Sequence, residues 1–502
     1  MISIKLCDLL ADGLAEKVAE DYLITGIVTD NRDVQAGDLF IALAGAHHHG
    51  RQFIDDAIQR GCSAVLVETD VLTAEEKSTP VPVISVPQLK NSLPGLLAKF
   101  YQAVEFNKAN MIGVTGTNGK SSIVRFITQL AAANHKTAGI MGTLGFGIWP
   151  EIHSSKNTTP EQTVLLRQVN QMQNQGAEFI AMEVSSHGIA EKRIQGVNFD
   201  TAIFCNLSQD HLDFHGDMEA YYLTKRELFL GQDLRYAIVN ADDEYGQRLL
   251  ADKGIGAQKI SYGIASYGAA SAPDVWAKQY QVTTSGIEAD IITPWGEASV
   301  NVSLMGDFNL SNVLAAIAAL MVTGQFELTE LAAKLDQLSA PAGRMEMYHP
   351  ATSEAPVALI DFAHTPDALH HVLTALNAHK VGELAVVFGC GGDRDSSKRA
   401  LMGSVAELAD KIWLTSDNPR SENVEDIIKM IQCGIKNTET FVEVDRQVAI
   451  EHAIARLTSE DLLLIAGKGH EDYQEISGNK MPYSDQAVLF SAGYQLAAGG
   501  MQ

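Results

Sequence analysis

The sequence predicts an α/β protein of three domains, the central one built around a mostly parallel sheet, and three observations carry that expectation. The chain has 502 residues, room for about three domains at roughly 150 residues each. Short, almost wholly apolar runs, among them Met111–Val114, Phe179–Val184 and Leu384–Phe388, read as strands buried on both faces. Between such runs lie longer stretches with helical apolar periodicity, the alternation that builds parallel sheets. An apolar content of 46% and a charged content of 20% are enough for real cores and argue against wholesale disorder.

The net charge of −25 makes nucleic acid or an anionic membrane a poor partner, and neither is expected. An anionic small substrate remains compatible, because a local basic pocket can sit in an acidic protein. The five cysteines (Cys7, Cys62, Cys205, Cys390, Cys433) are scattered and never in a Cys-x-x-Cys pair, so they read as reduced core thiols. The opening Met-Ile-Ser-Ile-Lys-Leu has no signal-peptide layout, and no apolar run reaches the ~20 residues of a membrane span. A soluble, cytoplasmic protein is expected.

Residues 1–90 read as a first domain. Asp38–Leu43 and Ala64–Val67 are its strands, and Phe53–Gln59 is helical. Thr29-Asp30-Asn31-Arg32 at a strand end can hold a sugar or nucleotide, or form a solvated turn. The run His47, His48, His49 reads as a loop, since three consecutive imidazoles cannot all face one metal. Pro80, Pro82, Pro87 and Pro94 punctuate a junction near residue 90.

Residues 91–338 form the second expected domain, and its first strand leads into the strongest signal in the chain. Gly116-Thr117-Asn118-Gly119-Lys120-Ser121-Ser122 lies between the strand at Met111–Val114 and a helix running to Ala133. Strand, glycine loop, Lys-Ser and helix are the parts of a phosphate cradle: backbone N–H groups converge on phosphate, the lysine adds a point charge, and the serine hydroxyl suits Mg2+. Only two residues separate the glycines, where the usual P-loop has four. Glu183 ends the apolar strand Phe179–Val184, where a carboxylate suits a Mg2+ shell and is too costly to bury unpaired. Asn157-Thr158-Thr159-Pro160 offers an amide and two hydroxyls in a loop. The strand Ala202–Leu207 runs into a loop rich in metal-capable side chains, including His211, though a lone histidine there reads better as a capped loop residue. Lys225, on the helix Tyr221–Leu230, reads as a surface lysine. Asn309 and Asn312 share a face of the helix that runs to Met321, to read a base edge or to cap the helix.

From residue 339 to 502 the pattern restarts as a third domain. Its strands Val357–Asp361, Leu384–Phe388, Lys411–Thr415 and Asp461–Ile465 each end in a polar loop. Gly389-Cys-Gly-Gly-Asp-Arg-Asp395 fails as a dinucleotide turn, because Arg394 stands where the third glycine belongs. Asp417-Asn418-Pro419-Arg420 can clamp a zwitterion, arginine to carboxylate and acid to ammonium, or serve as plain turn chemistry.

Taken in order, Gly116–Ser122, Glu183-Val-Ser-Ser-His187, Asn206–Asp213, Gly306-Asp-Phe-Asn309 and Asp361–Pro366 closely resemble the Mur ligases of peptidoglycan synthesis. Asp417–Arg420 and Gly467-Lys-Gly-His-Glu471 narrow the resemblance to the form that adds meso-diaminopimelate. It implies an N-terminal UDP-binding domain, a central P-loop ATPase and a C-terminal Rossmann-like domain. It implies an ADP-forming ligase in which ATP activates the D-glutamate of UDP-MurNAc-L-Ala-D-Glu as an acyl phosphate and an amine of diaminopimelate displaces phosphate. A monomer is expected. The resemblance makes Lys120, Glu183, His211 and Lys225 catalytic. Ser121 and Glu183 would hold one Mg2+, and His211 and Lys225, the latter as a carbamate, would help bind a second. Gly116–Ser122, Asn309, Arg344 and Asp361 would bind ATP. Asn31, Asn157, Thr158, Thr159, Ser185, Glu191 and Arg193 would bind the UDP substrate. Arg394, Asp417, Asn418, Pro419, Arg420, Gly467 and Glu471 would hold the amino acid. Arg420 would select diaminopimelate, whose distal carboxylate lysine lacks. Departures from the family pattern are Asn31 for a serine, the Ala46–His49 loop, Glu191 for a glutamine, and Ser121-Ser122 for two threonines. A folylpolyglutamate-synthase-like ligase shares the ATPase logic but is not expected to carry Asp-Asn-Pro-Arg or the first domain.

Overall fold

The computed structural model describes residues 3–497 apart from 11–13, 15–17, 19–21, 46–48, 104–108, 156, 265–271, 284 and 352–353, so His47 and His48 lie outside the described residues. Three large sheets succeed one another along the described residues, beside two two-stranded ones. The first has four parallel strands, Gly26–Val28, Asp38–Ala42, Ala64–Val67 and Val83–Ser85.

The second sheet has ten strands, with Asn110–Thr115 between Phe179–Glu183 and Thr201–Phe204. Its middle is parallel, and the hairpins Ala138–Ile148 and Val275–Val302 make both edges antiparallel. From Asn110–Thr115 the chain first builds toward one edge and then returns to Thr201–Phe204 on the other side. That reversal opens a crevice at the carboxyl ends of the strands, where open α/β sheets bind ligands. The third sheet has seven strands, with Leu462–Ala466 between Leu384–Phe388 and Val357–Asp361. The central parallel strands of both sheets, Asn110–Thr115, Phe179–Glu183, Leu384–Phe388 and Leu462–Ala466, are buried almost throughout because helices cover both faces, and that is why they read as apolar runs.

Two sequence expectations change here. Pro94 lies inside the helix Leu89–Ala103, not in a linker. That helix buries Leu89, Leu93, Leu97 and Phe100 in one core with Ile27 and Leu39 of the first sheet and Met111 and Met141 of the second. Apolar packing therefore outweighs the backbone hydrogen bond the proline removes. Among the cysteines, Cys62, Cys205 and Cys390 are buried, whereas Cys433 is exposed and Cys7 half-buried.

Between the second and third sheets, Ser339 is fastened to the phosphate-loop helix Lys120–Ala133. Arg125 donates to its carbonyl and hydroxyl at 3.1 and 3.0 Å, and Gln129 donates to the same hydroxyl at 2.6 Å.

Candidate active site

The glycine loop leaves the strand Asn110–Thr115 and enters the helix Lys120–Ala133. Gly116 and Gly119 have φ of +151° and +90°, values that L side chains rarely adopt. A Cβ on Gly119 would also lie 2.7 Å from the Asn312 Oδ1. Asn312, buried like Asn309, thus brings the helix Asp307–Met321 against the loop, and it donates to the Asn309 Oδ1 at 3.3 Å. Lys120 donates to the Gly116 and Thr117 carbonyls at 2.9 and 2.8 Å.

The loop is pinned by a residue to which sequence reading gave no role. Asn206, just past the strand Thr201–Phe204, accepts the Asn118 N–H through its Oδ1 at 2.9 Å and donates through Nδ2 to the Asn118 carbonyl at 3.1 Å. Its own carbonyl accepts the Thr117 N–H at 3.0 Å. Its place at the end of an apolar strand was the available signal.

Glu183 and Ser121 come together as expected: the Ser121 hydroxyl donates to the Glu183 carboxylate at 2.9 Å, and the Thr143 N–H donates to the same oxygen at 2.8 Å. Burial pushes the Glu183 carboxyl up, against the lowering influence of Lys120 and these donors. A hydroxyl and a carboxylate oxygen on one spot are hard donors that fit Mg2+.

Lys225 is a correction. It is 1% exposed rather than a surface lysine, because its helix, Met218–Arg226, lays it against the phosphate loop. Its ammonium donates to the Gly116 carbonyl at 2.9 Å and sits 4.7 Å from the Tyr221 ring centroid. Burial, reinforced by the Lys120 charge, pulls its pKa well below the usual lysine value. That shift favours the neutral amine, the form that adds to carbon dioxide, so a carbamate fits this position. Tyr221 also reaches Thr117 through its hydroxyl at 3.4 Å and stacks on His215. His211 is half exposed, 6.4 Å from Tyr221 between ring centroids, with its ring against His187.

The residues expected to meet the UDP substrate fall into two groups. Thr159, Ser185, Glu191 and Arg193 form one bonded set behind Glu183. Thr159 donates to the Glu183 carbonyl at 2.9 Å and accepts the Ser185 N–H, and Arg193 donates to the Thr159 carbonyl and pairs with Glu191 and Glu161. Thr158 meets Thr143 at 3.0 Å, and Asn157 is exposed nearby. Asn31 lies in the first sheet's loops, donating to Asp56 at 2.7 Å.

Asp361 uses both carboxylate oxygens on backbone, accepting the Met345 and Ala363 N–H groups at 2.7 and 2.8 Å. It thereby holds the turn that presents Arg344, whose guanidinium lies over the Phe362 ring. The Gly467 N–H donates to the Asp361 carbonyl at 3.0 Å.

At the carboxyl ends of the third sheet, Asp417, Asn418, Pro419 and Arg420 converge with Gly467 and Glu471. Lys468, fully buried, donates to Asn418 and Glu471 at 3.1 and 3.0 Å, and Asn418 donates to Glu471 at 2.8 Å. Burial raises the Asp417 carboxyl, which Arg446 and Lys468 oppose. Arg394 is exposed beside the same loops, against Gly391.

Three family descriptions match the chain in order: the Mur ligase family catalytic domain over residues 23–101, the Mur ligase middle domain over 114–320, and the Mur ligase glutamate ligase domain over 343–469. A UDP-N-acetylmuramoyl-L-alanyl-D-glutamate--2,6-diaminopimelate ligase of Pseudomonas aeruginosa is 40% identical over 94% of this chain and 95% of its own. The chain belongs to the Mur ligase family. A ligase of the same description from Coxiella burnetii is 40% identical over 95% of this chain and 97% of its own. A solved structure of a UDP-N-acetylmuramoyl-L-alanyl-D-glutamate--2,6-diaminopimelate ligase is 31% identical, with a TM-score of 0.74 over 98% of this chain and 99% of that one. A folylpolyglutamate synthase of Mycobacterium tuberculosis, 18% identical with a TM-score of 0.56 over 74% of this chain and 91% of its own, shares the fold alone. The three-domain α/β architecture is that of the Mur ligases.

Proposed function

We propose that this protein is an ATP-dependent, ADP-forming ligase that joins meso-diaminopimelate to the D-glutamate of UDP-MurNAc-L-Ala-D-Glu in the cytoplasm, during peptidoglycan precursor synthesis, and that it acts as a monomer. The reaction follows the family and the relatives' description. One structural observation carries the chemistry: Lys120, Ser121 and Glu183 converge at adjoining strand ends, where a transferring phosphoryl group needs positioning and charge neutralisation.

The γ-phosphoryl of ATP passes to an oxygen of the D-glutamate γ-carboxylate, giving ADP and an acyl phosphate. An amine of diaminopimelate attacks the acyl carbon, loses a proton, and phosphate leaves as the amide forms. Mg2+, when bound, supplies further neutralisation of phosphoryl charge. Ser121 and Glu183 would hold one ion, and His211 and a carbamate on Lys225 would help hold a second. Lys120 exchanges its two carbonyl contacts for the migrating phosphoryl group. Gly116–Ser122, pinned by Asn206, orients the phosphates, while Asn309 and Arg344, the latter held by Asp361, face the rest of the nucleotide. Asn157, Thr158, Thr159, Ser185, Glu191 and Arg193 present the UDP substrate beside Glu183, with Asn31 contributing from the first sheet. Arg394, Asp417, Asn418, Pro419, Gly467 and Glu471 hold the amino acid, and Arg420 pairs with its distal carboxylate.

The test is ADP release with ATP, Mg2+ and UDP-MurNAc-L-Ala-D-Glu, with meso-diaminopimelate or L-lysine in parallel. Turnover confined to diaminopimelate is expected. Turnover with lysine alone would overturn the acceptor assignment, and ADP release that ignores both amino acids would overturn the ligase reading.

A further inference from the structure

The Asp417–Arg420 turn is covered by a hairpin whose role neither the sequence motifs nor the relatives' description supplies. Its strands, Tyr473–Ile476 and Asn479–Pro482, pair antiparallel. Gln474 fastens the hairpin to the Ser416 hydroxyl and the Asp417 carbonyl, both at 2.7 Å, and Glu475 reaches Asn418 and Arg420 by backbone and side chain together. The Glu475 carbonyl accepts the Arg420 N–H at 3.0 Å, and the Glu475 N–H donates to the Asn418 Oδ1 at 2.9 Å. The Arg420 Nε donates to the Glu475 carboxylate at 3.1 Å, and the Arg420 Nη1 donates to the Gly392 carbonyl at 2.8 Å. Arg420 itself has φ of +50°, held in that region by the Ser477 N–H, which donates to its carbonyl at 2.7 Å.

A stability role accounts poorly for this ion pair. Its side chains are 22% and 27% exposed, so solvent screens much of the attraction. Orientation accounts for it better. A guanidinium carries five N–H groups in a rigid plane, and contacts at Nε and Nη1 fix both the plane and its rotation. The rest of the fork stays available to an incoming carboxylate. A fork fixed in the site also penalises an acceptor that lacks the carboxylate, because its donors stay unpaired; a fork free to turn to water would not.

We propose that Glu475 is a positioning and specificity-determining residue: from the hairpin it fixes the Arg420 guanidinium so that the open edge of the fork meets the distal carboxylate of the amino-acid acceptor. The proposal rests on the reading of Arg420 given above, and the experiment separates the two. KM and kcat are measured for meso-diaminopimelate and L-lysine in Glu475→Ala, Glu475→Gln and Arg420→Ala, with KM for ATP and for the UDP substrate alongside. Glu475→Ala is expected to raise KM for diaminopimelate about tenfold, the equivalent of one charge-assisted hydrogen bond, and to narrow the preference over lysine. Its kcat and its other KM values should stay within about twofold, while glutamine, which still accepts from Nε, should restore most of the loss. An unchanged diaminopimelate KM in Glu475→Ala, with a raised one in Arg420→Ala, overturns the role of Glu475 alone. No effect in Arg420→Ala overturns the reading of Arg420 itself. A loss in Glu475→Ala that spreads equally over kcat and all substrates shows a merely structural hairpin and also overturns the proposal.

Discussion

Replacing Asn206 with alanine should weaken ATP use without replacing any residue expected to contact the nucleotide. The amide makes two hydrogen bonds to the Asn118 peptide, one accepted at 2.9 Å and one donated at 3.1 Å. Each is worth about 1 kcal/mol net, so their joint loss removes about 2 kcal/mol from the ordered loop. If the ordered loop is the one that binds phosphate, that energy appears as a loss of roughly 30-fold in kcat/KM for ATP. Asn206→Asp separates the two bonds. It keeps an acceptor for the Asn118 N–H but sets a carboxylate against the Asn118 carbonyl, so it should be at least as damaging as alanine. The assay is steady-state ADP release with ATP varied and both other substrates saturating, followed by the same measurement with each of the others varied. The fold contribution of Asn206 is small, since the backbone bond from Thr117 to its carbonyl survives the substitution. An unchanged kcat/KM for ATP in Asn206→Ala, or an equal loss for all three substrates, would refute the reasoning.

Glu183→Gln should abolish turnover while stabilising the fold. Burial raises the Glu183 carboxyl above its ordinary 4.5, so the folded protein binds a proton more tightly than the unfolded chain, and stability falls as pH rises through that value toward the folded one. The gain in thermal midpoint should therefore be present at neutral pH and vanish below the ordinary carboxylate range; an equal gain at both would contradict this account. Asp485→Asn leaves the buried Arg446 guanidinium without its counter-charge, now held by two contacts of 2.8 Å, and should cost about 3–5 kcal/mol by urea unfolding. Lys225→Ala should lose nearly all activity, and the parent enzyme equilibrated with carbon-13 bicarbonate should show a carbamate carbon resonance that the variant lacks; a resonance common to both would count against Lys225 as its site.

The sequence by itself determined the sheets and the phosphate cradle, and the reason is locality. Strands buried on both faces read as almost wholly apolar runs, and a cradle of strand, glycine turn, Lys-Ser and helix lies within a dozen consecutive residues. Glu183 was legible for a similar reason, since a carboxylate inside an apolar strand needs a function. What only the tertiary structure decided concerns side chains whose surroundings come from distant segments. Lys225 sits on a helix that reads as ordinary surface, and nothing within its own turn tells that the Gly116 carbonyl and Tyr221 will enclose it. Asn206, Thr143 and Asn312 reach the cradle from three other elements, and Glu475 reaches Arg420 across 55 residues of chain. Pro94 makes the same point from the opposite side: its local signal ends a helix, and the apolar contacts of Leu89, Leu93, Leu97 and Phe100 carry the helix through it. Periodicity and backbone chemistry are written in neighbouring residues, whereas burial and partnership are set by which segments the sheet order brings together.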